Sequence, residues 1–119
     1  MENFRTDRLG QLIREKIGTL ILEGKIKDPR VSSFVSITRV SVSKDLSYAD
    51  VYISDVREKA NLDRSVQGLK SATGFIQAQL GLSLSIRKIP FLRFHADTSI
   101  REGFDMIQKI EKLNNDNIN

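Results

Sequence analysis

Lys70, Arg87, Lys88 and Arg93 are cationic side chains in the longest stretch of the chain that lacks a carboxylate. With Arg64 they make five basic residues between positions 64 and 93, where no Asp or Glu occurs. Ser71 and Thr73 add short hydroxyl groups beside Lys70, and Ala72 and Gly74 complete the run Lys70-Ser71-Ala72-Thr73-Gly74. Ammonium and guanidinium groups flanked by hydroxyls suit phosphate, so the chemistry on offer is anion binding. A solvated basic face explains the charge alone equally well. Catalysis has less to stand on. His95 is the single histidine and there is no cysteine, which removes any Cys-His pair or zinc-ligand cluster. His95 and Asp97 share one side of an expected strand, a spacing common to any surface strand. No catalytic residue, metal or cofactor is expected.

The 119 residues, 39% of them hydrophobic, suffice for one domain with a single core. That domain is expected over residues 1–113, with 114–119 as a loose tail. The N-terminus lacks the apolar run of a signal peptide and no stretch is long enough to span a membrane. A cytoplasmic, monomeric protein is the expectation. Nineteen Lys and Arg against 15 Asp and Glu give +4 and a pI near 9.6, a modest excess that hints at nucleic acid.

Periodicity supplies the elements that must carry the basic stretch. Leu9, Leu12, Ile13, Ile17, Leu20 and Ile21 predict a helix from about Phe4 to Glu23, ended by Gly24. Pro29 keeps that helix from resuming. A strand follows over about 34–43, in which Val35 and Ile37 share one parity and Val40 and Val42 the other. That slip demands an extra residue, so a bulge is predicted near Thr38-Arg39. After the turn at 44–47, Ala49, Val51 and Ile53 alternate with Tyr48, Asp50 and Tyr52 to predict an antiparallel partner strand.

Leu62, Val66 and Leu69, then Phe75, Ile76 and Leu80, predict two helices meeting at a bend around Ala72-Thr73-Gly74, with Asp55 or Asn61 as N-cap of the first. Phe75 and Ile76 are read as core. Gly74 serves close helix packing, direct ligand contact, or both. The second helix ends near Gly81, and a last strand runs over 91–97 behind Pro90. Ser99 to Glu102 is a capping box opening a C-terminal helix with Phe104, Ile107 and Ile110. The order helix-strand-strand-helix-bend-helix-strand-helix predicts an α+β fold, a three-stranded sheet with helices on one face.

This order resembles the bacterial ribosome-binding factor A family. The resemblance rests on Asp28-Pro29-Arg30 leading into the hairpin over 35–54, on Leu69-Lys70-Ser71-Ala72-Thr73-Gly74-Phe75-Ile76, and on Ile89-Pro90-Phe91-Leu92-Arg93-Phe94 with Asp97-Thr98-Ser99. It covers almost the whole chain except the tail. It implies a type II KH-like fold in which an alanine-any-glycine helix kink, here Ala72-Thr73-Gly74, replaces the glycine loop of ordinary KH modules. It further implies an assembly factor, not a catalyst, that binds the small (30S) ribosomal subunit and its 16S rRNA during late maturation and precursor rRNA processing, with a link to growth in the cold.

The RNA-binding residues expected are Lys70, Ser71, Ala72, Thr73, Gly74, Arg87, Lys88 and Arg93, together with the backbone amides that open the helix after Gly74. Tyr48 and Tyr52 are read as cross-strand packing before base stacking, and Asp97 as a helix-start residue. Two other readings compete with an assembly factor: a free-standing KH-like binder of single-stranded RNA, and a small protein-interaction domain whose charge serves solubility.

Overall fold

Helix α1, Glu2–Leu22, forms because one stripe of its surface is apolar. Leu9, Ile13, Ile17, Leu20 and Ile21 are all buried, whereas Leu12 lies at the margin of the stripe and remains exposed. The helix stops in a Schellman motif. Gly24 adopts φ +66, its amide donates to Ile21 O at 3.1 Å, and the Lys25 amide donates to Leu20 O at 2.9 Å. Those bonds satisfy carbonyls that the ending helix leaves open, and the left-handed backbone suits glycine. The computed structural model describes residues 2–99 and 106–107. Of the helix expected from Ser99 onward, Ser99 and residues 106–107 are described and are helical; the rest of it, the tail at 114–119 and the domain end at 113 lie outside the described residues.

Strands β1, Val35–Val42, and β2, Tyr48–Asp55, pair antiparallel. Their register shifts between Ile37 and Arg39, so Thr38 is the extra residue that the change of parity demanded. The bulge lets Val35, Ile37, Val40 and Val42 all turn to the core side. Leu46, at φ +62, closes the hairpin turn, where Asp45 Oδ1 accepts from the Ser43 hydroxyl and the Ser47 amide.

Helices α2, Lys59–Ser71, and α3, Thr73–Ser83, form the crossover to β3, Phe91–Ala96, which runs parallel to β2. The sheet order is β1-β2-β3. Among the described residues no further strand pairs with either edge, that of β1 beside α1 and that of β3 beside the α2–α3 junction. The N-cap of α2 is Glu58, with no side-chain cap bond, instead of Asp55 or Asn61. Asp55 ends β2, and its carboxylate instead takes the backbone amide and guanidinium of Arg57. All three helices cover one face. Ile13, Ile17, Leu62, Leu69, Ile76 and Leu80 meet Val51, Ile53 and Leu92 in a closed core. This is the arrangement of a type II KH-like α+β domain.

Candidate nucleic-acid interface

The bend sits at Ala72, which ends α2 and opens α3 with φ −89 and ψ 5. The Ala72 amide is shared between Gly68 O and Leu69 O, and Ile76 N–H restarts the helical ladder on Ala72 O. Thr73 Oγ1 lies 3.2 Å from Leu69 O and 2.8 Å from Lys70 O. A hydroxyl bonded back to the preceding turn bends helices. Gly74 is not what turns the chain. Its φ is not left-handed, and a Cβ there meets nothing within 4 Å. Neither backbone conformation nor close packing requires glycine at this position.

A second device holds the bend from outside. In the segment Asp28-Pro29-Arg30, Asp28 Oδ1 accepts from the Arg30 amide and Nε at 2.9 Å each, while Arg30 Nη2 reaches Asp28 Oδ2 at 2.7 Å. The same Nη2 lies 3.0 Å from Ser71 Oγ, and buried Ser65 donates its hydroxyl to Arg30 O. The segment presses on α2 at Gly68, where an added Cβ would stand 2.7 Å from Val31 Cγ2 and 3.1 Å from Arg30 Cβ. Glycine is required there by close approach. The last turn of α2 is thereby pinned to the connection that follows α1.

Between the bend and the free edge of β3 lies a groove of about 600 Å³. Lys70, Thr73, Gly74 and Gln77 form its helical wall, and residues 91–95 form its strand wall. Gln77 and Phe91 also line an adjoining depression with Ser47, Tyr48, Lys88 and Ile89, so the two share part of their walls. Among the described residues, no carboxylate lines either part. Lys70 lines the groove and Lys88 the adjoining depression, both exposed and without an ion-pair partner among the described residues. Arg87 is exposed in the loop after α3 and lines neither part. A further depression between α1 and the β1 edge mixes Arg14 with Glu15, and Arg14 Nε already caps Ile37 O at 3.2 Å. It has less to offer an anion.

Gln77 occupies the free edge of β3. Its Nε2 donates to Pro90 O at 3.2 Å and its Oε1 accepts from the Leu92 amide at 2.9 Å. The carboxamide thus supplies one rung of a missing neighbour strand. Gln77→Met keeps the length and removes both bonds, which should cost about 1 kcal/mol and lower the melting temperature by a few degrees. An unchanged thermal unfolding curve would show that the bonds do not hold the strand.

Arg93 is placed differently from the lysines. It projects from the helix-free face of the sheet, where its Nε and Nη2 lie 2.9 and 3.0 Å from the Asp50 carboxylate and its guanidinium sits 4.3 Å from the Tyr48 ring centroid. Burial works to raise the Asp50 pKa, but hydrogen bonds from Arg93 and His95 outweigh it and hold the carboxyl below its ordinary range. His95 thus has Asp50 as its carboxylate neighbour, at 2.7 Å, not Asp97. Tyr52 packs between Arg39, 4.2 Å from its centroid, and the His95 ring at 5.0 Å. Both tyrosines serve cross-strand packing.

Asp97 accepts from the amide and hydroxyl of Ser99 and from the Thr38 hydroxyl, and these bonds lower its pKa to about 2. The Arg30 side chain and backbone lower Asp28 likewise, to about 2. A carboxyl depressed in the folded state stabilises the fold fully above its unfolded value near 4, and that contribution disappears as pH falls towards 2. Stability should therefore drop between about pH 4 and 2, and Asp28→Asn with Asp97→Asn should flatten that acid limb. Chemical denaturation at stepped pH reads it; equal slopes for both proteins would refute the assignment.

The sequence expectations and the structure meet unevenly at this site. Lys70, Thr73 and Gly74 line the groove, Lys88 lines its continuation, Ala72 is the bend itself, and Ser71 faces Arg30. The hydroxyls of Ser71 and Thr73 are both engaged within the protein. Phe75, read as core, is 43% exposed, because it lies about 100° around the helix from buried Ile76. Arg30, Gln77 and Phe91 belong to the neighbourhood without having been singled out. The Asp-Pro-Arg turn was a usable signal for Arg30. Nothing in the local pattern marks Gln77.

Residues 5–110 match the family model described as Ribosome-binding factor A. The Ribosome-binding factor A of Treponema denticola is 51% identical over 113 residues, covering 95% of this chain and 86% of that one. The crystal structure of ribosome-binding factor A from Thermus thermophilus superposes with a TM-score of 0.64 at 24% identity, covering 76% of this chain and 94% of that one. A homology model of the Thermus thermophilus ribosome-binding factor A, fitted into a cryo-EM map of its 30S complex, gives a TM-score of 0.62 at 23% identity, over 78% of this chain and 96% of that one.

Proposed function

The chain belongs to the ribosome-binding factor A family, and from that premise we propose that it is a small-subunit assembly factor. It binds the 30S subunit during late maturation, contacts 16S rRNA and supports processing of the precursor RNA. It acts in the cytoplasm as a monomer and performs no chemistry of its own. One observation carries the RNA contact: a groove at the helix bend and a depression adjoining it, lined by Lys70 and Lys88 respectively, with no carboxylate among the described residues that line them. The Thermus thermophilus relative fitted into a 30S complex supports the partner.

The contact surface runs from the bend, Lys70 to Gly74, along the groove to Lys88, with Arg87 beside it and Arg93 at the strand wall. Arg93 contributes less charge than its neighbours because Asp50 already balances it. A rigid domain of this kind docks on folded RNA through phosphates, and bases specify little. If about four to six phosphates are engaged, log affinity falls with log salt at a slope of roughly −3 to −5. The test is sedimentation of lysate at graded salt. The chain should travel with free small subunits in preference to whole ribosomes and dissociate steeply as salt rises. Salt-independent association would favour an apolar protein interface instead.

A further inference from the structure

We propose that the depression between α1 and the start of β1 seats a segment of this same chain, residues 106–113, packed there as a helix. The depression has a volume of about 440 Å³, and Ile21, Leu22, Val35 and Ile37 make much of its lining apolar. α1 runs antiparallel to β1. Gly10 lies against Val40, Arg14 Nε bonds Ile37 O, and Gly18 and Leu22 line the depression with Ser33 and Val35. Two features leave room for an occupant. Gly18 has nothing within 4 Å of an added Cβ, and Leu22, the last residue of α1, is 80% exposed.

The occupant follows from where the chain goes. Asp97 N–H donates to Ile53 O, and the Asp97 carboxylate accepts from the hydroxyl of Thr38 on β1. The chain thus leaves β3 across β2, towards the strand that forms one wall of the depression. Ser99 stays in that turn, its amide and hydroxyl both on Asp97, and Thr38 adjoins Ile37 in the wall. The residues between Ser99 and Met106 reach about 10 Å as helix and about 23 Å when extended. Met106 and Ile107 are helical and 63% and 56% exposed. With Ile110 and Leu113 they recur at helical spacing and make one apolar face. A helix over 106–113 is about 12 Å long, and the wall from Ser33 to Ile37 measures about 13 Å. Lys109 and Glu111 flank that face, and the α1 wall carries Glu15 and Arg14 to match them. The helix-free face of the sheet is also within reach, but Asp50, Arg93 and His95 fill it with polar contacts. A second copy would need about 800 Å² on each partner, more than this depression offers. The tether instead gives the chain's own segment an effective concentration on the order of millimolar.

The test uses the full chain carrying one nitroxide at Lys109→Cys, the only thiol present because the chain has no cysteine. In amide NMR spectra the label should broaden Gly18, Leu22 and Ser33 beyond detection and leave Tyr48 and Gly74 sharp. Leu22→Asp, a change at an exposed position checked by circular dichroism, should restore the Gly18 and Ser33 signals. The same change should speed hydrogen exchange of the Ile107 amide about tenfold. Sharp signals throughout the labelled chain overturn the proposal, as does broadening that survives Leu22→Asp. Broadening centred on Tyr48 and Arg93 overturns it in favour of the helix-free face. Broadening of an isotope-labelled chain by a nitroxide on a different molecule overturns it in favour of contact between two copies.

Discussion

Reversing Lys70, Arg87 and Lys88 to glutamate should weaken binding to small subunits by about a hundredfold or more at roughly 0.1 M salt. Each phosphate contact contributes nearly a factor of ten at that ionic strength through counterion release, and reversal adds repulsion to the loss. The change takes the formal net charge from +4 to −2, since three reversals subtract six. All three side chains are exposed and make no ion pair among the described residues. Stability should therefore move by no more than about 0.5 kcal/mol. Arg93→Gln is the informative companion. Asp50 and Tyr48 already hold that guanidinium, so its removal should weaken binding far less than the loss of Lys70. Co-sedimentation across a salt series separates the cases: the salt slope should flatten by about 3 for the triple variant. Unaltered binding by the triple variant would move the contact surface elsewhere on the molecule.

The second large effect concerns two glycines of the paired helices, Gly68 and Gly74, whose substitution should act in opposite directions. Gly68→Leu should destabilise the fold by about 3 kcal/mol, at the upper end of overpacking costs. A Cβ at that position already meets Val31 at 2.7 Å, Arg30 at 3.1 Å and Asp28 at 3.2 Å, and the rest of a leucine side chain has nowhere to go. The 28–31 segment would lift from α2, taking with it the Arg30 bond to Ser71 and the Ser65 bond to Arg30 O. Gly74→Ala should instead be neutral or stabilising by up to about 1 kcal/mol, because open space surrounds it and alanine is the better helix former. Urea unfolding measures both. A stable Gly68→Leu protein would mean that the clamp does not hold the bend, and a strongly destabilised Gly74→Ala protein would mean that the glycine is structural after all.

Much of this fold is legible where the physics is local. The change of parity between Ile37 and Val40 demanded one extra residue, and Thr38 is that residue. Leu62, Val66 and Leu69, then Ile76 and Leu80, mark the core faces of two helices, and Gly24 ends α1 in the backbone conformation that its position implied. The bend lies where the small residues between those two faces put it, although its cause is different. Glycine draws attention to the site, while the Thr73 hydroxyl and the Arg30 clamp bend and hold it.

What was illegible depends on distance in the chain. Arg30 meets Ser71 at a separation of 41 positions, Gln77 meets Leu92 at 15, and Arg93 meets Asp50 at 43. The last pair follows from the parallel register Asp50↔Arg93, which no reading of β3 alone contains. A basic residue in a sequence counts as a cation until its partner is known, so Lys70 and Arg93 look alike on paper and differ in space. Phe75 shows the same limit on a helix, where an apolar residue one step from the stripe faces solvent.

The central claim is that the bend and the groove beside it face ribosomal RNA. The chain has no cysteine, so Gly74→Cys and Leu22→Cys each introduce a single attachment point, one on the groove wall and one at the opposite edge of the sheet. Each variant carries a tethered iron chelate that generates hydroxyl radicals, and is bound to purified small subunits before strand scission in 16S rRNA is mapped. Strong, localised cleavage from position 74 and weak cleavage from position 22 is the expected result; strong cleavage from 22 with none from 74 would contradict it.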